Sequence, residues 1–333
     1  MPMPSALIPP RLSTGCWKPY RHLLRAYRRP QGKQTMIQAE HTILDPAVLA
    51  SIKDLELRAK VAVEGFLAGL HKSPHRGFSS EFSDYRHYYP GDDIRYVDWK
   101  VYARSGNFYI KQFEDETNVR CYILMDCSAS MGYGSNSVTK LEFARTLASA
   151  LAYFISGQQD AVGLITFDHK IQQHLPSRYR QGHLMRILRA LNETVIGAAT
   201  DILQPVENLA HSLNRKGLVI LISDLLDENE NTMKGLHQLR AKGNDVIVFH
   251  VLDDAELTFP FQRIADFEDS ETHEIQKAVP QRVRETYLQE IERFCDYYKE
   301  KCRSGGIDYC LLNTTEPLDS ALASYLSKRA RSF

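Results

Sequence analysis

Residues 119–130 read Val-Arg-Cys-Tyr-Ile-Leu-Met-Asp-Cys-Ser-Ala-Ser. The core of that stretch, Cys121 to Met125, is apolar without interruption, and it is closed by a carboxylate, Asp126, with hydroxyls at Ser128 and Ser130. A short apolar run with no polar alternation is a strand covered on both faces. The pattern returns at Ala161–Phe167, Leu218–Ser223, Asp245–Leu252 and Ile307–Leu312. Between these runs the spacing predicts helices over Lys140–Ser156, Gly182–Leu191, Ile202–Leu213, Thr232–Ala241 and Arg282–Lys301, with a last one over Pro317–Arg329. After Phe167 the chain makes a polar, hairpin-like return to Leu175. Strands alternating with helices imply an α/β fold, a doubly wound and mostly parallel sheet covered by helices on both sides. The segment between Pro260 and Pro280 is acidic and aperiodic and reads as a surface excursion.

Upstream of this alternation the chain is organised differently. Asp45-Pro46 is an N-cap followed by proline in the first helical position, and Leu49, Ile52, Leu55, Leu57, Val61 and Val63 carry one helix to about Leu70. Residues 71–116 are rich in aromatics (Tyr85, Tyr88, Trp99, Tyr102, Phe108) interleaved with basic residues, around a Pro90-Gly91-Asp92-Asp93 turn. Three segments result: a leader over 1–35, an N-terminal helix with an aromatic-rich extension over 36–118, and the α/β domain over 119–333.

The chain has 333 residues and a formal net charge of zero, so overall charge gives no argument for nucleic acid or a membrane surface as partner. The balance hides an asymmetry, because residues 1–35 hold seven basic residues and no acid. Two readings of this proline-rich leader stand: an organelle transit peptide, or an upstream start codon with the true start at Met36. The second is preferred, since Arg-rich composition is easily mimicked. The longest aliphatic run, Leu218 to Ile222, is far short of the ~18 apolar residues of a membrane span. Six cysteines, with no C-x-x-C pair and no His cluster beside them, read as reduced thiols in the cytoplasm.

In an open parallel sheet, ligands bind beyond the carboxyl ends of the strands, where the strand order reverses. Three polar clusters are expected on that side: Asp126-x-Ser128-x-Ser130, Thr200-Asp201 before a helix, and Ser223-Asp224 after a strand. Carboxylates and hydroxyls are hard oxygen donors that suit Mg²⁺ or Mn²⁺ in octahedral geometry. Two carboxylates and neutral hydroxyls leave such an ion incompletely neutralised, and it would attract one more carboxylate from outside.

Asp126, Ser128 and Ser130, the distant Thr200 and the later Asp224 resemble the metal-ion-dependent adhesion site of von Willebrand factor type A domains. The resemblance implies that Ser128, Ser130 and Thr200 contact the metal directly, that Asp126 and Asp224 act partly through water, and that a partner protein donates an Asp or Glu. Upstream, Arg86-x-Tyr88-x-x-Gly91-Asp92-x-x-Arg95-x-x-Asp98-Trp99, followed by Ala103-Arg104 and Lys111 to Glu116, resembles the signature of the domain-of-unknown-function 58 family. The likeness covers roughly residues 45–330. It implies a type A-like domain after this element, a non-enzymatic adaptor role, and partnership with a MoxR-type AAA+ ATPase. Many members are anchored in membranes, and this chain resembles the short soluble branch.

Competing readings attach to the same residues. Taken alone, Asp126 with Ser128 and Ser130 is an ordinary helix cap; Thr200 and Asp224 tip the balance toward metal. A metal-dependent phosphatase with Asp126 as nucleophile would call for a second Asp at position 128, where Ser128 stands. The chain has no G-x-x-x-x-G-K-[ST] loop and is not itself a P-loop ATPase. Nucleic-acid binding through the aromatic segment is blunted by the interspersed acids Glu81, Asp84, Asp92, Asp93 and Asp98. There Tyr88, Trp99 and Tyr102 read as packing, and Asp92, Arg95, Asp98 and Arg104 as an ion-pair network. Cys127 reads as a buried spacer, and Cys295 with Cys302 as core residues on one helix face.

Overall fold

The computed structural model describes residues 45–72, 85–87, 102, 108–111, 119–197, 205–207, 216–226, 229–262, 265–268 and 275–332. The leader, Tyr88 to Trp99, Arg104, Glu114 to Glu116 and Thr200 with Asp201 lie outside them, so the readings placed on those residues are not addressed by the structure.

In chain order the elements are α1 (Pro46–Ser51), α2 (Leu55–Lys72), β1 (Tyr85–His87), β2 (Tyr109–Lys111), β3 (Arg120–Asp126), α3 (Lys140–Gly157), β4 (Ala161–Phe167), β5 (Ile171–Arg178), α4 (His183–Glu193), β6 (Leu218–Ser223), α5 (Asn229–Ala241), β7 (Asp245–Leu252), α6 (Asp254–Thr258), β8 (Ala265–Glu268), β9 (Ile275–Ala278), α7 (Pro280–Ser304), β10 (Asp308–Asn313) and α8 (Asp319–Ser332). Six strands form one sheet in the order β10-β7-β6-β3-β4-β5. All neighbours are parallel except β4 and β5. This is the doubly wound, mostly parallel α/β sheet that the apolar runs predict. β5 is the antiparallel return, an edge strand with alternating exposure that accommodates Pro176.

Two apolar layers cover the sheet, and the pleat assigns residues to them. Cys121, Ile123 and Met125 of β3 point into the layer built with α2, α3, α4 and α8. Tyr122 and Leu124 point into the opposite layer, with Leu236 and Leu239 of α5 and Tyr287, Ile291, Phe294 and Tyr298 of α7. Consecutive residues of one strand are thus all buried because each face has its own helices.

Two expectations need correction. The single helix expected from Asp45 to Leu70 is two helices, since Ile52 is extended and the Asp54 carboxylate caps a new start by accepting from the Glu56 and Leu57 N–H groups. The apolar spacing runs through the break, so periodicity alone does not reveal it. Arg58 then closes the gap: its guanidinium donates to the carbonyls of Ala50 and Ile52 at the end of α1, and to Glu142 and Thr146 of α3. The 260–280 excursion contains a hairpin, β8 paired antiparallel with β9. Of the helix expected over 202–213, residues 205–207 are described and are helical.

Candidate metal centre

β3 leads to β4 on one side, while β6, entered later, lies on its other side. The strand order therefore reverses between β3 and β6, and their carboxyl ends frame a crevice. Met125 is level with Ile222 across that pair, which sets Asp126 beside Ser223. The Ser223 hydroxyl donates to Asp126 Oδ2 at 2.6 Å, and the Ser128 N–H donates to Asp126 Oδ1 at 2.9 Å. Ser128 and Ser130 hydroxyls meet at 3.0 Å. Asp126, Ser128, Ser130 and Asp224 are all fully buried. The structure thus gathers four of the five residues singled out in the sequence, and the fifth, Thr200, lies outside the described residues.

Asp126 is held by an amide and a hydroxyl, neither of them a cation. Burial, and then the nearby charge of Asp224, push its carboxyl up to about 7, against the lowering effect of the Ser223 and Ser128 hydrogen bonds. The turn after β6 is fixed from several sides. Leu225 sits in the left-handed region at φ 55°, costly for a branched side chain unless the surroundings enforce it. Its N–H bonds to the Ser223 hydroxyl and its carbonyl accepts from Tyr298. The Asp224 carbonyl accepts from His250 Nε2 at 3.0 Å, so Nδ1 is the acceptor for the Tyr309 hydroxyl at 2.7 Å. Burial lowers His250 to about 3 and keeps it neutral.

Sequence reasoning missed the charges behind this turn. Lys140 Nζ, fully buried, donates to Asp224 Oδ2 at 2.8 Å and to Glu256 Oε1 at 2.7 Å. Burial works against its charge, and the two carboxylates more than restore it, so its pKa is raised. Glu256 goes up to about 7, because burial and the charge of Asp224 outweigh the pull of Lys140. Signals for these residues were legible: a lysine in the first turn of an Ala- and Leu-rich helix, a D-x-x-E capping box at Asp253 to Glu256, and a histidine inside the apolar β7 run.

On the β4 side, Asp168 is nearly buried and accepts from Gln172 at 2.7 Å. Gly197 donates its N–H to the Cys127 carbonyl at 2.6 Å, which lays the segment before Thr200 against the Asp126–Ser130 loop. Only glycine fits there, since a Cβ would stand 2.7 Å from Asp168 Cβ and 2.8 Å from its Cγ. Cys127 is as inert as expected, its thiol donating to the Phe167 carbonyl and pushed up to about 12 by burial. Tyr102, expected to pack, stacks on Phe108 with ring centroids 4.2 Å apart.

Among the described residues no three His, Cys, Asp or Glu side chains gather to hold a metal. The donor set instead has two carboxylates, with the remaining oxygens from hydroxyls. That set suits a hard divalent ion rather than zinc or copper, and among the described residues the hydrogen bonds to Asp126 come from an amide and a hydroxyl rather than a cation, so the residues fit Mg²⁺ or Mn²⁺.

The fold defines the chain as a doubly wound α/β protein with a buried cluster of oxygen-bearing side chains at its switch point. The family described as "Protein of unknown function DUF58" matches residues 84–294, and the chain belongs to it. Two uncharacterized mycobacterial proteins, Mb1516 of Mycobacterium bovis and Rv1480 of Mycobacterium tuberculosis, are 28% identical over 219 residues, covering 65% of this chain and 68% of each relative. Among solved structures, BatB from Bacteroides thetaiotaomicron matches with 19% identity and a TM-score of 0.44, over 64% of this chain and 99% of that one. The SpRpn10 VWA domain matches with 12% identity and a TM-score of 0.36, over 62% of this chain and 94% of that one. At these scores neither structure bears on the fold, which rests on its own topology. Among the described residues no helix is long and apolar enough to cross a membrane.

Proposed function

We propose that this chain is a non-enzymatic, divalent-metal-dependent protein-interaction module in which Asp126, Ser128, Ser130, Thr200 and Asp224 hold Mg²⁺ or Mn²⁺. The observation that carries the reading is a charge shortfall among the described residues. Asp126, Asp224 and Glu256 place three carboxyl groups in one buried cluster, and Lys140 is the ammonium paired with two of them. A buried carboxylate is stable only when paired or coordinated, and Asp126 has hydroxyl and amide neighbours of the kind that complete a hard ion's shell. Thr200 follows Gly197 by three residues, a reach of about 10 Å from a backbone bonded to the loop itself.

The bound ion supplies a Lewis-acidic point of attachment. The chain's own residues do the rest: Ser128 and Ser130 offer their hydroxyls, and Asp126 and Asp224 set the negative charge. Because Asp224 is shared with the Lys140 ammonium and the other donors are neutral hydroxyls, the ion is left under-neutralised, and the favoured partner brings an Asp or Glu. By family resemblance that partner is an AAA+ ATPase of MoxR type, with this chain as its adaptor in assembling or activating a client. We place this work in the cytoplasm, in keeping with free thiols at Cys121, Cys127, Cys295, Cys302 and Cys310.

Calorimetric titration of the full chain with Mg²⁺ and Mn²⁺ tests the reading. One-site binding is expected, and Asp126→Ala should abolish it while circular dichroism stays unchanged. A MoxR-type ATPase from the same genome should be retained on the immobilised chain with Mg²⁺ and released by chelator; retention undiminished in excess chelator refutes the reading.

A further inference from the structure

Lys140 stands where neither helix nor core calls for it. It is the first residue of α3, and a cation in the first turn opposes the helix dipole. Lysine is almost never fully buried unless paired, yet Lys140 is fully buried. Its ammonium divides itself between Asp224 at 2.8 Å, just after β6, and Glu256 at 2.7 Å, in the α6 turn that follows β7. Asp224 Oδ1 also accepts from the Leu226 N–H at 3.2 Å, so the carboxylate is aimed by Lys140 on one oxygen and by its own turn on the other. Glu256 is fixed in turn, because its second oxygen accepts from the Asp253 N–H at 2.7 Å within the cap of α6.

We propose that Lys140 is a positioning residue that sets how tightly this centre holds a divalent ion, by engaging an oxygen of Asp224 that the ion would otherwise draw on. The inference rests on the metal reading above. An oxygen committed to a charge-assisted hydrogen bond with an ammonium is a poorer donor to a second cation. The metal alone is then held loosely, and Glu256 governs the effect by drawing the ammonium away from Asp224. A lysine present only to neutralise buried charge would leave metal affinity unaltered when one positive and one negative charge are removed together.

The decisive variant is therefore Lys140→Met with Glu256→Gln, which leaves the formal charge of the cluster unchanged while removing the ammonium from Asp224 Oδ2. Full-length wild type, this double variant and Glu256→Gln alone are titrated with Mn²⁺ by calorimetry, with circular dichroism confirming the fold. The double variant should bind Mn²⁺ about tenfold more tightly, the scale of one hydrogen bond to a charged group. Glu256→Gln alone should bind it more weakly, since Asp224 then becomes the ammonium's one ionised partner. Equal affinity in wild type and double variant overturns the role of Lys140 and leaves the metal reading standing. Should the double variant not fold, Glu256→Gln decides, and affinity unchanged or raised overturns the proposal. Wild type that takes up no Mn²⁺ sinks the metal reading itself and this inference with it.

Discussion

Asp126→Asn should make the metal-free protein more stable while destroying its site. The amide keeps the side-chain volume and both contacts, its oxygen accepting from the Ser128 N–H and its NH₂ donating to Ser223 Oγ. What disappears is a buried charge facing Asp224. The fold raises the Asp126 carboxyl from 3.8 to about 7, so it favours the protonated form. The associated stability is complete below pH 4 and is lost as pH rises through about 7. Asparagine has no such loss. At pH 4 the two proteins should melt nearly together, and at pH 8 in chelator the variant should lead by on the order of 2–4 kcal/mol. At about 2–4 °C per kcal/mol for a domain of this size, the gap is roughly 4–16 °C. Saturating Mg²⁺ should lift wild type alone, by about 2.7 kcal/mol at a hundredfold excess over Kd, and so close most of the gap. Differential scanning fluorimetry at pH 4 and pH 8, with chelator or Mg²⁺, reads all four states. A variant that melts at or below wild type at pH 8, or a gap that ignores pH, refutes the reasoning.

Two further perturbations test the surroundings of the site. His250, lowered to about 3 by burial, contributes stability that is present above its ordinary value of 6.5 and lost as pH falls below it. His250→Gln should flatten the acid limb of the stability profile by about 2 kcal/mol between pH 6.5 and pH 5 in urea melts compared with wild type, and parallel profiles would sink the assignment. Gly197→Ala drives a Cβ into Asp168, and a loss of about 1–3 kcal/mol in urea is expected; an unshifted midpoint would show that the segment is not pressed against the β4 end.

Much of the sheet could be read from residue order, because Cys121 to Met125 and Leu218 to Ile222 are buried on both faces and leave no polar punctuation. The break at Ile52 could not, since the apolar spacing continues across it and the capping role of Asp54 is a matter of backbone angles. The β8–β9 hairpin escaped because its pairing gives no periodic signal in four-residue strands. Asp126, Ser128, Ser130 and Asp224 were legible as loop residues at strand ends, where any α/β sheet collects its ligands. Lys140 was visible as a lysine at the head of an apolar helix, but its role was not, because that lies in partners 84 and 116 residues away, and a lysine in sequence is by default a solvated one.

The two N-terminal helices have a practical consequence for anyone dividing this chain. Leu49, Leu55, Ala62, Val63 and Phe66 belong to the same apolar layer as α3 and α4, and Arg58 is nearly buried while tied to Glu142. A fragment begun at residue 119, where the strand–helix alternation starts, would carry an uncovered greasy flank and a Glu142 left with Arg145 but without Arg58. Such a fragment invites aggregation in expression. A piece that keeps these contacts starts instead at the cap of the first helix, Asp45, and is larger than the sheet suggests.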